Sequence, residues 1–240
     1  MMRACIVIGA GDATGGAIAR RFAREGFAVG LVRRTADKLA PLVAAIEREG
    51  GRAIPYAGDA RKEEEMKRIF DAMERDVGPI EVAVFNIGAN VPCSILEETP
   101  RKYIKIWELA CLSGFFMGRE AARRMTARGE GTILFTGATA SIRGSAHFAA
   151  FAGAKHGLRA LAQSMARELW PKNVHVAHII IDGAIDTAFI RDTFPERYAT
   201  KDRQGILDPD SIADAYWRIH TQSRDAWTFE MDLRPWIETW

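Results

Sequence analysis

The sequence predicts an α/β protein in which one doubly wound parallel sheet lies between two layers of helices, giving three layers. Three observations lead to this prediction: short β-branched or apolar runs recur, segments with helical spacing separate them, and polar or glycine-rich residues follow each run. The 240 residues fit one domain, and no repeat or Pro/Ser-rich linker marks a boundary. We therefore expect a single domain over residues 1–240.

The predicted strands are six apolar runs. In chain order they are Ala4 to Ile8, Ala28 to Val32, Arg52 to Tyr56, Val82 to Phe85, Thr132 to Phe135 and Val174 to Ile181. Apolar residues recur at helical spacing between Met66 and Val77 and again between Leu158 and Leu169, so each of these segments has one face to bury. A further helix is predicted from Ile104 to Ala127.

Composition and charge exclude several classes of protein. The chain has 48% hydrophobic and 27% charged residues, and its 33 basic and 31 acidic residues leave a net charge of +2, so neither nucleic acid nor an anionic membrane is expected as a partner. No apolar stretch reaches the ~18 residues of a membrane helix, and the first apolar run is too short for a signal peptide. Cys5, Cys93 and Cys111 form no CxxC pair, which predicts a reduced, cytoplasmic compartment.

No metal is expected, because the sequence lacks HExxH and zinc-type cysteine spacing. His175 and His178 fall in a predicted strand three positions apart. Side chains at that spacing point to opposite faces of a sheet, so the two imidazoles are not expected to form a metal-binding pair.

A glycine-rich turn follows the first predicted strand and precedes a helix expected to begin near Ala17. This context suits a loop that binds phosphates, since glycines let the backbone approach the ligand and free N–H groups at the helix start favour negative charge. The alternative is a tight turn that binds nothing. The residues proposed to hold the phosphates are Gly9, Gly11, Asp12, Thr14 and Gly15.

Polar segments also follow the later strands, and in a parallel sheet all of them reach the same edge, where ligands bind. Arg33 and Arg34 follow the second predicted strand, at a place where an NAD-binding protein usually offers a carboxylate to the ribose diol. A guanidinium suits a phosphate instead, so NADP(H) is expected to bind in preference to NAD(H). The alternative is a solvated pair of charges.

The motifs, in their order and spacing, resemble the short-chain dehydrogenase/reductase family over nearly the whole chain. Ile8 to Gly15 is similar to the family's TGxxxGxG motif, from which it departs at Ile8 and Ala13. Phe85 to Gly88 is similar to the family's NNAG motif. The segment from Asp182 to Thr187 is similar to the family's PGxxxT motif. The resemblance implies a Rossmann-like domain with a substrate loop near 187–207. It also implies cofactor contacts from Asp59, Ala60, Asn86, Ile87, Gly88, Lys155, Gly183, Ile185 and Thr187.

The same resemblance places the catalytic groups, and here the sequence departs from the family. Of the family's Asn, Ser, Tyr and Lys, the chain keeps Lys155, with Phe151 at the Tyr position, Ala138 at the Ser position and Cys111 at the Asn position. A phenyl ring has no proton to transfer, and loss of a positioned acid costs ~10²- to 10⁴-fold in rate. The sequence resembles an atypical branch with Phe in place of Tyr.

Two hypotheses about function follow. The first is an NADP-dependent oxidoreductase that transfers hydride to a small carbonyl, enone or imine, with a substitute proton donor such as His147 and substrate contacts from Ser141. The second is a catalytically silent NADP-binding sensor or scaffold. For His147 and Ser141, the alternatives are a solvent-facing imidazole and a turn hydroxyl.

A homodimer or homotetramer is expected from two features. Gly114, Gly118 and Ala122 are spaced four apart, which permits close packing against a neighbouring helix. Aromatic side chains also crowd the end of the chain, at Trp217, Trp227, Trp236 and Trp240. The alternative is that these residues complete the protomer's own core.

Overall fold

A computed structural model describes residues 2–239, which build one sheet of seven parallel strands. The strands are β1 Arg3–Ile8, β2 Phe27–Arg33, β3 Arg52–Ala57, β4 Ile80–Phe85, β5 Gly131–Thr136, β6 Val174–Ile181 and β7 Glu230–Leu233. Their order in the sheet is β3-β2-β1-β4-β5-β6-β7. The first three strands run outward from the centre, and the chain then returns to place β4 beside β1, which is the predicted doubly wound topology.

Helices cover both faces of the sheet because each strand presents apolar side chains alternately to the two sides. The helices are α1 Thr14–Arg24, α2 Ala40–Arg48, α3 Glu63–Asp76, α4 Pro100–Trp107, α5 Ser113–Arg128, α6 Ala149–Leu169, α7 Ala188–Thr193, α8 Pro195–Tyr198 and α9 Pro209–His220. Ile6 and Ile8 of β1 belong to the core under α3, α5 and α6, whereas Cys5 and Val7 belong to the core under α1, α2 and α9.

The seventh strand was not predicted. Its sequence, Glu-Met-Asp-Leu, has four residues and two acidic side chains, so it carries little of the β-branched signal that marks the other strands. The strand forms because β6 offers an open edge, on which Glu230 pairs with His178 and Leu233 with Ile181. Its stability is therefore tertiary in origin.

Two predicted helix starts were too late. The helix expected near Ala17 begins at Thr14, and the one expected at Ile104 begins at Pro100, where the Thr99 hydroxyl accepts the N–H of Lys102. Threonine at the cap followed by proline is a favoured helix start. A π-helical segment, Glu108–Leu112, joins α4 to α5, and Gly129 ends α5 with a φ of +73°.

The small residues of α5 pack inside the protomer, which corrects their assignment to a contact between subunits. A β-carbon added at Gly114 would lie 2.5 Å from Leu158 Cδ1, and one at Gly118 would lie 3.0 Å from the Met165 sulfur. Both partners belong to α6 of the same chain. The two glycines therefore let α5 approach α6 and the sheet.

Two of the C-terminal tryptophans also complete the protomer's own core. Trp217 packs edge-on against Phe22, and Trp227 stacks on His175 with 4.6 Å between ring centres. Trp236 is 71% exposed, and Trp240 lies outside the described residues. No helix within residues 2–239 combines the length and apolar character that crossing a membrane requires.

Candidate active site

The carboxyl ends of β4, β5 and β6 surround a cavity of about 500 Å³. Segments from distant parts of the chain line it, because the parallel topology brings all these strand ends to one edge. Most of the lining is apolar, and it includes Ile190 of α7, Arg197 of α8 and Phe194, which lies between these two helices. The predicted site residues that line the cavity are Thr14, Asn86, Ile87, Gly88, Ala138, Phe151, Lys155, Gly183 and Ile185.

The glycine-rich turn before α1 is closely packed against the end of β4. Gly9 has a φ of +91°, and a β-carbon there would lie 2.6 Å from the Asn86 carbonyl oxygen. The Asn86 side-chain amide donates to the Gly9 carbonyl at 3.2 Å. At Gly11, by contrast, no atom lies within 4 Å of the position of a β-carbon, so the backbone is open to a ligand. This turn and the first N–H groups of α1 fit a pyrophosphate.

Arg33 and Arg34 lie at the end of β2, as predicted from the sequence. The Arg33 guanidinium is 3.7 Å from the carboxylate of Asp12, whose side chain is 91% exposed. Arg34 is exposed. The two cations are available to an anionic group at this end of the turn.

Asp59 and Ala60 follow β3 and do not line the cavity. The Asp59 carboxylate accepts the Arg61 Nε–H at 3.0 Å, and this hydrogen bond is the main reason that its pKa lies below the ordinary value. Ala60 is buried. Thr187 is also outside the cavity lining, because its hydroxyl caps α7 by accepting the N–H of Ile190 at 3.1 Å.

Lys155 is buried at the cavity wall, with 2% of its surface exposed. Its Nζ donates to the carbonyl of Thr136 at 2.7 Å and to that of Ile87 at 3.1 Å. Burial disfavours the ammonium and lowers the pKa of Lys155 to about 7, and the interaction with Cys111 acts in the opposite direction. The lysine is held by the ends of two strands.

Phe151 lies one helical turn before Lys155, and its ring centre is 5.9 Å from the lysine Nζ. Ala138 lines the same cavity from the end of β5. Because positions 151 and 138 hold phenylalanine and alanine, neither side chain offers a hydroxyl. Cys111 lies in the π-helical segment, where burial raises the pKa of its thiol. It is close to α6, since a β-carbon on Gly157 would lie 3.0 Å from its sulfur.

Two predicted residues lie away from the cavity, which corrects the expectation that they border the substrate. The Ser141 hydroxyl is fully buried and accepts the N–H of Ala138 at 3.1 Å, closing a 3-10 turn. His147 is exposed and takes a left-handed conformation with φ of +68°, which residues other than glycine rarely adopt. Neither side chain lines the cavity. Thr139 and Ser145 line it instead.

Sequence reasoning missed a charged pair in the cavity wall. Arg197 of α8 forms an ion pair with Glu238 near the end of the chain, and both side chains line the cavity. The two residues are 41 positions apart, in segments without periodicity or motif. Only the folded chain brings them together, so no local signal could have indicated the pair.

The parallel sheet, the open glycine turn and the buried lysine define a dinucleotide-binding α/β protein. Comparison with known proteins identifies its family: the family model for short chain dehydrogenase matches residues 3–197, and the chain belongs to this family. Relatives are named as dehydrogenases and reductases, and the protein is an oxidoreductase of the short-chain type.

Two solved structures are similar to this protein over almost the whole chain, and a further relative matches a shorter part of it. A short-chain dehydrogenase from Rhodopseudomonas palustris is 50% identical, with a TM-score of 0.84 and coverage of 98% of this chain and 99% of that one. A metagenomic short-chain oxidoreductase solved in complex with NADP is 25% identical, with a TM-score of 0.84 and coverage of 98% of both chains. The 3-oxoacyl-[acyl-carrier-protein] reductase MabA of Mycobacterium tuberculosis is 29% identical over 189 residues, covering 79% of this chain and 72% of MabA.

Proposed function

We propose that this protein is an NADP(H)-dependent oxidoreductase that reduces a small carbonyl, enone or imine by hydride transfer, with a degenerate catalytic tetrad. The observation that carries the proposal is a buried, cavity-facing lysine at the strand ends beside an open glycine turn. The turn is suited to the phosphates, and the apolar cavity to an uncharged substrate. The proposed substrate loop is 187–207, from which Ile190, Phe194 and Arg197 contribute to the cavity wall.

The cofactor assignment rests on charge and on the close approach that glycine permits. In the proposed complex the turn from Gly9 to Gly15 holds the pyrophosphate, while Arg33 and Arg34 bind the 2′-phosphate through charge-assisted hydrogen bonds. The remaining proposed cofactor contacts are Asp59, Ala60, Asn86, Ile87, Gly88, Lys155, Gly183, Ile185 and Thr187. When bound, the reduced nicotinamide supplies the hydride. The NADP complex of the metagenomic relative supports this choice of cofactor.

The substrate assignment follows from the side chains at the two altered positions. Phe151 and Ala138 place a phenyl ring and a methyl group where the family places a phenol and a hydroxyl. An iminium accepts hydride without a proton, and a conjugated carbonyl can take its proton later from water. Such substrates suit this cavity better than a simple ketone does.

The experiment that tests the proposed function follows NADPH oxidation by the purified protein with an aryl ketone, an α,β-unsaturated aldehyde and a cyclic imine. We expect turnover with the enal or the imine to exceed turnover with the ketone. The control is Gly15→Val, because a β-carbon at Gly15 would lie 2.4 Å from the Gly9 carbonyl oxygen and would distort the turn. If the protein binds NADPH but none of the three substrates oxidises it, the proposal is contradicted.

A second candidate function is a silent NADP-binding sensor or scaffold. The observation in its favour is the same pair of altered positions, since neither Phe151 nor Ala138 can take part in proton transfer. Both candidates require cofactor binding, and they differ in turnover. The NADPH oxidation experiment therefore separates them.

We also propose that the protein is a cytoplasmic homodimer or homotetramer. Support comes from exposed apolar side chains on α4, where Ile104 is 55% and Trp107 is 40% exposed. Static light scattering at micromolar concentration is expected to give at least twice the 26.6 kDa mass of the chain. A monomer under these conditions would contradict the assembly.

A further inference from the structure

Few side chains in the cavity wall can release a proton at neutral pH. Arginine cannot be deprotonated in proteins, so Arg197 is unsuitable, and the Glu238 carboxylate paired with it acts as an acceptor. The hydroxyls of Thr139 and Ser145 hold their protons unless a base removes them. Among the described residues that line the cavity, Lys155 is the group that remains.

The geometry of Lys155 leaves one of its protons available. An ammonium has three N–H donors, and two of them are used by the carbonyls of Thr136 and Ile87. The third is free to meet an acceptor in the cavity, because Lys155 lines that cavity. No hydroxyl at position 151 stands between Nζ and the substrate, since that residue is a phenylalanine.

We propose that Lys155 itself donates the proton to the substrate in this site. The inference rests on the proposed function. In carbonyl reduction, the hydride supplied by the cofactor forms the new C–H bond, the C=O π pair moves to oxygen, and an Nζ proton forms the O–H bond. Lys155 is left as a neutral amine and regains a proton from water, while the reduced nicotinamide becomes oxidised.

Burial of Lys155 favours release of its proton. Two titratable groups that interact electrostatically with Lys155 are Cys111, from the π-helical segment, and His178, from β6. Burial lowers the pKa of His178 to about 4 and raises that of the Cys111 thiol, so both are uncharged at neutral pH. The carboxylate of Glu230 accepts from His178 and pairs with Arg159. With a pKa of about 7, the Lys155 ammonium is matched to a general acid at neutral pH.

The test compares wild type with Lys155→Arg, which keeps the charge but cannot release a proton, and with Lys155→Met. We expect single-turnover reduction of an aryl ketone or enal by NADPH to fall ~10²- to 10⁴-fold in both variants. The wild-type rate should decrease as pH rises through about 7, and this dependence should be absent from the variants. The control is Lys172→Met, because Lys172 is exposed in the 3-10 turn that follows α6.

Two readouts separate proton donation from a structural role. Reduction of a preformed N-alkyl iminium needs no proton, so at saturating NADPH the loss of rate in Lys155→Arg should be at least ~10-fold smaller with the iminium than with the ketone. In the apo protein labelled with ¹⁵N at lysine Nζ, one resonance should titrate near pH 7 and be missing from Lys155→Arg.

The outcomes of these measurements are distinguishable. Three results would overturn proton donation by Lys155 while leaving the proposed function intact. They are wild-type rates of ketone or enal reduction in Lys155→Arg, equal losses of rate with ketone and iminium, and lysine Nζ groups that all remain protonated at pH 9. Absence of any wild-type turnover would overturn the proposed function together with it.

Discussion

Lys155 and Phe151 share one face of α6, and the chemistry of the site depends on which of the two positions carries a proton. If the site is a short-chain reductase without its phenol, Phe151→Tyr with Ala138→Ser should create or raise ketone reduction by NADPH. The new tyrosine would lie one turn from Lys155, and a nearby positive charge lowers a tyrosine pKa toward neutral. The measurement is steady-state NADPH oxidation with an aryl ketone.

The control for this gain is Phe148→Tyr, which adds a phenol to the same cavity two turns from Lys155. We expect no gain from that change. The gain at position 151 should also disappear when Lys155→Met is added. If the double variant binds NADPH but reduces no ketone, the idea that only the missing hydroxyls limit ketone reduction is wrong.

The buried lysine should also make stability depend on pH. The pKa of Lys155 is about 7 in the folded protein and 10.5 in the unfolded chain, so the unfolded state binds more protons between these values. Burying Lys155 therefore costs stability that is greatest below pH 7 and is relieved as pH rises toward 10.5. Relative to Lys155→Met, the wild type should become more stable across this window.

Urea unfolding of both proteins at several pH values measures this difference directly. Cys111 and His178 are present in both, so their titration cancels to first order. A difference in unfolding free energy that is flat between pH 7 and 10.5 would mean that Lys155 has an ordinary pKa in the folded protein.

Arg33 and Arg34 determine the expected choice of cofactor. NADPH should bind at least ~10-fold more tightly than NADH, a difference of ~1.4 kcal/mol, because two guanidinium groups meet the 2′-phosphate. Titration of intrinsic fluorescence measures both affinities. Arg33→Ala with Arg34→Ala should remove the preference, whereas Arg48→Ala, on the exposed side of α2, should preserve it. Equal affinities in the wild type would refute the assignment.

Among the single elements, the close approach of α5 to α6 is the feature most sensitive to mutation. Gly114→Val would force side-chain atoms against Leu158 Cδ1, which already lies 2.5 Å from the position of a β-carbon. Overpacking of this kind costs ~1–3 kcal/mol. Ala127→Val introduces the same residue on the exposed face of α5 and should change the unfolding free energy by less than ~1 kcal/mol.

Urea unfolding monitored by circular dichroism tests this pair of variants. Equal stabilities of Gly114→Val and Ala127→Val would show that the glycine is not required for packing within the protomer. The packing partner of Gly114 could not be predicted from the sequence. A run of small residues indicates that something packs closely, but only the crossing of two helices shows whether the partner is in the same chain.

At the scale of the whole molecule, much of the architecture was accessible from the sequence. Six strands carry β-branched or apolar runs, and the positions of their polar ends follow from parallel topology alone. Strand β7 could not be predicted, because its stability comes from the edge of β6. The Arg197–Glu238 pair and the burial of Ser141 depend on contacts between distant segments, which spacing along the chain does not encode.

We propose that the cavity at the strand ends performs hydride transfer from NADPH, and transfer of an isotope label provides a direct test of this reaction. NADPH deuterated on the transferring face of the nicotinamide C4 would be incubated with the protein and a cyclic imine or an enal, and the product analysed by mass spectrometry. We expect one deuterium in the product with wild type and none with Gly15→Val. Tight binding of deuterated NADPH, with no deuterium in the product of any ketone, enal or imine supplied, would contradict it.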